Sequence, residues 1–300
     1  MSPRSILIIV ALVAIATSFE LLRLDEETEK VAQREREAIG LAFRELSIEG
    51  KAVYVYDVAE GRELYSKNGE LPLPLASLVK LMTGLVAVEE SPNALTIKIG
   101  RGALMKEGDT GLLAEERWDL ARLVAFTLTT SSNDGAEALA VALTPYLKDG
   151  EGNPSTFSEA MNEKAESLSM SSMYFSGSTG LDENGAVGGY GSAKDVALLL
   201  AYLLEKHPAL LEPTAYEATS FASADALHNA ENTNKRVASI PGLIASKTGF
   251  TDLAGGNLAI AFERGPGHPI VIVVLGSSQE GRFDDVDKLV RRAIELGGRP

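Results

Sequence analysis

The segment NLAIAFERGPGHPIVIVVL, residues 257–275, decides the fold class of this chain. Its two apolar runs, Asn257–Phe262 and Ile270–Leu275, have the length and the branched side chains of buried strands. The Gly- and Pro-containing connection between them, Arg264–Gly267, is typical of a turn. We therefore expect an antiparallel strand pair in this region, preceded by a shorter strand at Leu243–Ser246.

Strand patterns also occur early in the chain, whereas the middle is mostly helical by pattern. Lys51–Val58 and Arg62–Tyr65 predict a hairpin that turns at Glu60-Gly61. The predicted helices are Leu78–Glu90, Ala121–Leu128, Gly135–Leu143, Phe157–Ser167, Ala193–Leu204 and, after the last strand, Asp284–Leu296. Strands at both ends with helices between them predict an α+β fold, in which an antiparallel sheet is flanked by helices and interrupted by a mostly helical insertion.

Composition excludes several classes of function. The 300 residues are 45% hydrophobic, which is enough for a large core, and the net charge of −14 argues against nucleic acid as a partner. The absence of Cys excludes disulfides, thiol nucleophiles and Cys-based metal sites. The three histidines, His207, His228 and His268, show no metal-binding spacing.

Ser77 and Lys80 form the first pattern that carries chemistry. They lie three residues apart at the start of a predicted helix, so the amine of Lys80 can reach the hydroxyl of Ser77. A serine needs an adjacent base to act as a nucleophile, and a lysine serves if burial or a nearby positive charge lowers its pKa. Backbone N–H groups at the start of the helix suit a developing oxyanion.

Two further short motifs complete an ordered set. Ser131-Ser132-Asn133, between two predicted helices, offers a hydroxyl for a proton relay and an amide that orients a substrate. Lys247-Thr248-Gly249, after a strand, can hold a carboxylate, and Gly249 lets a substrate backbone approach closely. Each motif alone is weak, but S-x-x-K, S-x-N and K-T-G in this order follow the signature of penicillin-binding proteins and β-lactamases.

The chain resembles the serine-type D-Ala-D-Ala carboxypeptidases, which are low-molecular-weight penicillin-binding proteins of peptidase family S11. The resemblance runs from about residue 50 to the C-terminus, although Gly is more usual in the family at the position of Ser132. The similar segments are Leu75–Thr83, Thr129–Ala136, Phe157–Asp182, Asn232–Asn234, Ser246–Asp252 and Ala254–Gly256. The resemblance implies a β-lactamase/transpeptidase-like fold.

The same resemblance implies a function, without a metal or an organic cofactor. The enzyme would hydrolyse the terminal D-Ala-D-Ala bond of peptidoglycan pentapeptides through an acyl-enzyme, and β-lactams would inhibit it by acylating the same serine. Lys247 would also help to keep Lys80 neutral. The implied roles are Ser77 as nucleophile, Lys80 as base, Ser131 as proton relay, Asn133, Lys247, Thr248 and Gly249 as substrate-binding residues, and the backbone N–H groups of Ser77 and Phe250 as the oxyanion hole.

Four alternative functions remain open. A class A-like β-lactamase would need a Glu-x-x-x-Asn pattern between the second and third motifs, and none occurs between Ser131 and Lys247. A non-catalytic wall-peptide binding protein would not need to keep Lys80 as a base. A DD-endopeptidase or a serine esterase on the same scaffold comes third, and the sequence excludes neither, because fold and nucleophile do not fix the acyl donor.

The N-terminal segment predicts export from the cytoplasm. Arg4 precedes the unbroken apolar run Ile6–Ala16, which is shorter than the ~20 residues of a membrane span and suits a signal peptide. Ala14-Ile15-Ala16 offers a cleavage site, whereas Thr17–Phe19 would extend the run into an uncleaved anchor. We expect residues 1–19 to be a signal peptide or membrane anchor, 20–33 a charged stalk, and 34–300 the DD-peptidase catalytic domain, starting with a helix over Arg34–Leu46. The expected location is the periplasm or cell surface, and the cytoplasmic membrane is a partner if residues 1–19 are an anchor.

Overall fold

The computed structural model describes residues 37–92 and 95–297, together with Arg23, Glu27, Lys30, Gln33 and Arg34. The predicted signal peptide or anchor, residues 1–19, lies outside the described residues, as does most of the predicted stalk, 20–33. Helix α1 spans residues 37–44, inside the range predicted to be helical. In the described part of the chain, no helix is both long and apolar enough to cross a membrane.

The chain divides into two compact units, Met1–Glu45 and Leu46–Pro300. The predicted boundary at residue 34 stays a prediction. In the second unit, the strands are β1 (Ala52–Asp57), β2 (Arg62–Lys67), β3 (Leu73–Pro74), β4 (Thr96–Lys98), β5 (Arg117–Asp119), β6 (Tyr174–Phe175), β7 (Gly189–Gly191), β8 (Ala218–Ala222), β9 (Leu227–Glu231), β10 (Leu243–Thr251), β11 (Gly255–Glu263) and β12 (Pro269–Ser277). The helices are α2 (Val79–Glu89), α3 (Leu120–Thr130), α4 (Asn133–Leu143), α5 (Phe157–Ser167), α6 (Ala193–Lys206), α7 (Pro208–Leu211) and α8 (Gly281–Gly297).

The main sheet joins the early and the late strands, as the sequence predicts. Its order is β10-β11-β12-β1-β2, and every neighbouring pair is antiparallel. Alternate residues of β12 face opposite sides, as the pleat of a strand requires. Val271, Val273 and Leu275 belong to the core cluster shared with the helices of the insertion, whereas Ile272 and Val274 are fully buried on the other side. Helix α8 packs against β11 and β12. The α+β fold class is therefore confirmed.

Helix α2 lies at the centre of the helical insertion. It packs against α3, α4, α5 and α6, and its residues from Val79 to Ala87 are all buried. A helix that is apolar all round belongs inside a core. This position explains why Lys80, one residue into the helix, is buried although it is a lysine.

The insertion also contains short strands that the sequence did not predict. They form a three-stranded sheet, β3-β7-β6, and two hairpin-like pairs, β4-β5 and β8-β9. These strands are two to five residues long and lack an alternating apolar pattern; β9, for example, buries only Ala230. The prediction of a mostly helical middle was thus incomplete, because such short pairs are held by their neighbours and not by a pattern of their own.

Candidate active site

Ser77 lies in a single helical turn, Ala76–Leu78, that leads directly into α2. The turn is held on both sides by backbone contacts. Leu75 N donates to Gly189 O at 2.9 Å, and a Cβ on Gly180 would stand 2.0 Å from Ala76 O. Ala76 itself has a positive φ of 48°, which a residue with a side chain rarely adopts. The nucleophile is therefore presented by a strained backbone that its surroundings fix in place.

Lys80 lies beside Ser77, as the spacing of the two residues predicts. Its Nζ is 3.0 Å from Ser77 Oγ, 2.6 Å from Asn133 Oδ1 and 2.6 Å from the carbonyl oxygen of Thr179. The side chain is completely buried, and this burial lowers the pKa of Lys80 to about 7. A neutral amine that donates its two N–H bonds to Asn133 and Thr179 points its lone pair at the hydroxyl of Ser77.

The loop between α3 and α4 carries the second predicted motif. Ser131 ends α3 with a φ of 60°, and Ser132 begins α4 by accepting a hydrogen bond from Gly135 N at 2.9 Å. Asn133 Nδ2 donates to the carbonyl oxygen of Glu107 at 2.6 Å. Both ends of the Asn133 amide are thus bound to protein groups, so the predicted contact with a substrate backbone requires one of these bonds to be exchanged.

Strand β10 brings the third motif against the other two. Lys247 Nζ donates to Ser131 Oγ at 2.7 Å, and Thr248 Oγ1 lies 2.6 Å from Thr233 Oγ1. A Cβ on Gly249 would stand 2.9 Å from Leu75 O and 3.2 Å from Ser77 N. The strand and the Ser77 turn are in such close contact that only glycine fits. Phe250, whose backbone N–H is predicted to share the oxyanion hole, follows at once, with its side chain 42% exposed.

Three basic side chains meet in the site. Lys247 is buried, and this burial, followed by the charges of Lys80 and Arg282, lowers the pKa of Lys247 well below its usual range. Arg282, from α8, donates through Nη1 to Gly249 O at 2.6 Å. No described carboxylate forms a salt bridge with any of these three groups. A substrate carboxylate entering beside Lys247 and Thr248 would therefore meet basic groups that have no acidic partner.

Burial is the cause that lowers the pKa of Lys80. The physical reason is that Lys80 is completely enclosed, so the loss of hydration dominates its pKa. Lys247 and Lys80 are close enough for their charges to repel each other, and this repulsion contributes to the lowered pKa of Lys247. The expected contribution of Lys247 to keeping Lys80 neutral stays a prediction.

Several residues of the site were missed by sequence reasoning. Thr179 and Thr233 lie in segments similar to the family, yet nothing in their pattern indicates that a carbonyl of one and a hydroxyl of the other contact catalytic groups. Asn257 is fully buried and joins Pro74 O, three residues before Ser77, to the backbone N–H of Gly276. Arg282 lies in an amphipathic helix, and nothing in the sequence distinguishes it from a surface arginine of such a helix. These residues act through contacts between distant segments, which spacing along the chain does not reveal.

Comparison with known proteins agrees with this arrangement. The family model for D-alanyl-D-alanine carboxypeptidase, peptidase S11, matches residues 40–279. The chain is 27% identical over 257 residues to the D-alanyl-D-alanine carboxypeptidase DacF of Bacillus subtilis, covering 84% of this chain and 64% of that protein. It is 27% identical over 266 residues to a D-alanyl-D-alanine endopeptidase of Pseudomonas aeruginosa, covering 86% of this chain and 81% of that protein.

A solved structure extends the comparison to the fold. Penicillin-binding protein D2 from Listeria monocytogenes, in its cefotaxime-bound form, superimposes with a TM-score of 0.67 at 32% sequence identity, covering 83% of this chain and 98% of that one. The chain thus spans nearly all of that structure and slightly less than two thirds of DacF. The family match, the fold and the three assembled motifs agree, and the chain belongs to the D-alanyl-D-alanine carboxypeptidase family, peptidase S11.

Proposed function

We propose that this protein is a serine-type D-Ala-D-Ala carboxypeptidase that removes the terminal D-alanine from peptidoglycan stem peptides through an acyl-enzyme on Ser77. The observation that supports this function most directly is the buried amine of Lys80, 3.0 Å from the Ser77 hydroxyl and with a pKa of about 7. A general base works best when its pKa lies near the operating pH. Lys80 meets this requirement through its burial.

In the acylation step, Ser77 Oγ attacks the carbonyl carbon of the peptide bond between the two D-alanines. The hydroxyl proton passes to Lys80 Nζ, and the carbonyl oxygen becomes an oxyanion. Its stabilisation by the backbone N–H groups of Ser77 and Phe250 is supported by the close packing of Gly249 on the Ser77 turn. The C–N bond then breaks, and the leaving amine takes up a proton.

Ser131 is suited to deliver that proton. Its Oγ accepts a hydrogen bond from Lys247 Nζ at 2.7 Å, so the hydroxyl can pass its own proton to the amine while Lys247 supplies another. The bound substrate carboxylate favours the protonated form of Lys247, because an opposite charge nearby raises the pKa of an amine. Binding of the correct substrate therefore charges the group that the proton transfer requires.

Hydrolysis of the ester completes the cycle. Before hydrolysis, Lys80 loses to solvent the proton that it took from Ser77, and Lys247 regains from solvent the proton that it supplied. Water then attacks the acyl carbon and gives a proton to the neutral amine of Lys80, which passes it to Ser77 Oγ as the ester bond breaks. β-Lactams are proposed to acylate Ser77 in the same way, since the Listeria relative has been solved with cefotaxime and with ampicillin. Their carbonyl and carboxylate would occupy the positions assigned to the peptide.

A DD-endopeptidase is the second candidate. Two similar proteins, from Pseudomonas aeruginosa and Escherichia coli, are D-alanyl-D-alanine endopeptidases. The chemistry at Ser77 is the same in both activities, and only the amine that leaves differs: free D-alanine in one case, a cross-linking side chain in the other. The groups that hold the acyl donor do not decide between them.

The deciding experiment measures D-alanine release from a pentapeptide ending in D-Ala-D-Ala, with a cross-linked muropeptide dimer as a second substrate and Ser77→Ala as the control. Release of D-alanine by the parent but not by Ser77→Ala is the expected result. Cleavage of the dimer alone would assign endopeptidase activity. Stable binding of the peptide without cleavage of either substrate would make the protein a wall-peptide binding protein.

We further propose that the protein acts outside the cytoplasmic membrane, where its substrate lies. The charged-then-apolar order of Arg4 and Ile6–Ala16 supports export. N-terminal sequencing of the protein recovered from cell fractions tests this. A chain beginning at Thr17 indicates a cleaved signal peptide, a full-length chain in the membrane fraction indicates an anchor, and a full-length chain in the cytosol would contradict export.

A further inference from the structure

Arg282, the second residue of α8, contacts strand β10 at one particular peptide bond. Its side chain is buried, and its Nη1 donates to the carbonyl oxygen of Gly249 at 2.6 Å. The stem of the side chain lies beside Gly256 of β11, where a Cβ would stand 3.2 Å from Arg282 Cδ. Gly256 is the β11 residue opposite Phe250. The guanidinium therefore binds the peptide bond that joins Gly249 to Phe250.

That peptide bond carries a group that the proposed mechanism needs. Its C=O belongs to Gly249 and its N–H to Phe250, and the described part of the chain contains no cis peptide bond. In a planar trans peptide, the C=O and the N–H point in opposite directions, so fixing one fixes the other. Gly249 also lies against the nucleophile, because a Cβ there would stand 3.2 Å from Ser77 N. The N–H groups of Phe250 and Ser77 are the two predicted donors of the oxyanion hole.

The guanidinium of Arg282 is not paired in the way that a scaffold arginine of this molecule is paired. Arg264 forms a salt bridge with Asp57, whereas no described carboxylate forms one with Arg282. Its Nε is buried without a hydrogen-bond partner, and its Cζ lies 4.7 Å from the centroid of the Phe283 ring. The positive charge is thus directed at a carbonyl oxygen, where a charged donor forms a strong hydrogen bond.

The start of α8 is fixed independently of β10. Asp285, one turn after Arg282, is buried and accepts hydrogen bonds from Gly50 N at 2.8 Å and from Ser277 Oγ at 2.9 Å. Arg282 N closes the first turn of the helix on Ser278 O at 3.2 Å. The guanidinium is therefore held by a rigid element, as the positioning of a donor at an active site requires. Its removal should leave α8 in place.

We propose that Arg282 is a positioning residue of the oxyanion hole, which orients and polarises the Gly249–Phe250 peptide bond so that the Phe250 N–H stabilises the developing oxyanion. The inference rests on the proposed function, which assigns that N–H to the hole. Linked hydrogen bonds polarise one another, so a charged donor on the carbonyl oxygen makes the N–H of the same peptide bond a stronger donor. The gain is realised when negative charge develops, so it acts on the transition state more than on the bound peptide.

The test separates the stabilisation of the transition state from the binding of substrate. Arg282→Met keeps an apolar stem and removes the donors. We expect acylation of Ser77 by a fluorescent penicillin to slow about 30-fold, which is less than the ~10²–10³-fold loss when a whole oxyanion-hole donor is removed. A peptide boronic acid, whose boron binds Ser77 Oγ to form a tetrahedral anion, should lose affinity by the same factor. Binding of a pentapeptide ending in D-Ala-D-Ala, measured by calorimetry in the Ser77→Ala background, should change less than about threefold.

Two further variants complete the comparison. Arg282→Lys keeps a cationic donor, so its acylation rate and its boronic acid affinity should both lie between those of the parent and of Arg282→Met. The same parallel between rate and affinity can be measured on Arg282→Lys alone if the methionine variant does not fold. Arg291→Met is the matched control, because Arg291 is an exposed arginine of the same helix that donates to Asp287 O within it. It should change neither quantity.

Three results would overturn this role of Arg282. They are an undiminished acylation rate in the folded variant, a loss of peptide affinity as large as the loss of rate, and a slower rate with an unchanged boronic acid affinity. The last result would assign the effect to Lys247, whose pKa the charge of Arg282 also lowers. D-alanine release by the parent is measured in parallel. Acylation that depends on Arg282 without D-alanine release would reject only the carboxypeptidase function, whereas release that does not depend on Arg282 would reject only the positioning role.

Discussion

Two buried groups of charges in this molecule are arranged in opposite ways. At one end of the main sheet, Asp57 is completely buried and forms a salt bridge of 3.1 Å with Arg264, whose side chain is 15% exposed. In the cleft, Lys80 and Lys247 are buried just as deeply, yet their ammonium groups contact hydroxyl, amide and carbonyl oxygens instead of carboxylates. In the first arrangement, each charge stabilises the other. In the second, no opposite charge offsets the loss of hydration, so the charged form of each lysine is destabilised.

The difference separates the scaffold from the site. A buried ion pair keeps its charge and fixes two segments together, so its loss is felt as a loss of stability. A buried lysine without a carboxylate has a lowered pKa and can exchange a proton near neutral pH, as Lys80 does at about 7. Unpaired burial is therefore the source of reactivity here, and the cost is met by the rest of the fold.

The strongest test of this contrast replaces Lys80 with methionine, which has a similar volume and no charge. We expect acylation of Ser77 by a fluorescent penicillin to slow about 10³-fold, since a general base contributes 10²–10⁴-fold. The melting temperature should stay the same or rise, because a buried amine without an ionic partner is replaced by an apolar side chain of similar volume. Labelling rates and thermal melts of the two proteins measure both quantities. A variant that melts far below the parent would show that Lys80 is part of the scaffold.

The opposite result is expected at the sheet. Arg264→Met leaves Asp57 buried without its ionic partner, and the free energy of unfolding should fall by about 2–3 kcal/mol. Acylation of Ser77 at a temperature where the variant is folded should change less than about threefold, because Arg264 lies beyond the far end of β11, whereas Lys247 pairs with Ala259 nearer the middle of that strand. Urea titration gives the stability and penicillin labelling the rate. A rate that falls with the stability would erase the distinction between the two regions.

The pH dependence of acylation sharpens the contrast further. Only the neutral amine of Lys80 accepts the Ser77 proton, and its pKa is about 7. The neutral fraction increases with pH, so the acylation rate constant at low penicillin concentration should rise about tenfold per pH unit below 7 and level off above it. Stopped-flow labelling from pH 5.5 to 8.5 measures this profile. A rate that is flat across that range would mean that Lys80 is not the base.

The sequence predicted which residues form the site, but it did not predict the contacts that surround them. Ser77 and Lys80 are adjacent because three residues span nearly one turn of helix, and the helix itself follows from its apolar pattern. The five-stranded sheet follows from its long apolar runs for the same reason. The contacts that set the chemistry join segments far apart in the chain: Thr179 lies 99 residues from Lys80, and Ser131 lies 116 residues from Lys247. No periodicity encodes such pairs.

The short strands and the contacts of Asn133 were not predicted from the sequence for the same reason. Strands β3 to β9 exist because neighbouring segments pair with them, and sequence patterns describe only a segment's own preferences. Asn133 was assigned to the substrate, because an amide can orient a substrate and the family resemblance implies a substrate-binding role. In the folded chain it lies between Lys80 and the carbonyl oxygen of Glu107. The assignment to a substrate contact stays a prediction, now with a defined bond that has to be exchanged.

Substitution of Ser132 should have the smallest effect on stability and activity. It tests whether, within one loop, a residue can affect stability without affecting catalysis. Its hydroxyl caps α4 and lies 2.6 Å from Thr110 Oγ1, whereas its neighbour Ser131 contacts Lys247. Ser132→Gly should lower the free energy of unfolding by about 0.5–1 kcal/mol, through the lost cap and an unpartnered hydroxyl. Acylation should change less than about threefold, because the end of α3 sets the conformation of Ser131.

Ser192→Gly is the matched variant, since Ser192 caps α6 through Asp195 N at 3.0 Å and does not contact the three motifs. It should lose a similar amount of stability, and its acylation rate should equal that of the parent. Urea titrations and penicillin labelling of both variants make the comparison. If Ser132→Gly slowed acylation more than tenfold while Ser192→Gly did not, the hydroxyl of Ser132 would contribute to catalysis. Ser132 would then belong to the active site and not only to the scaffold.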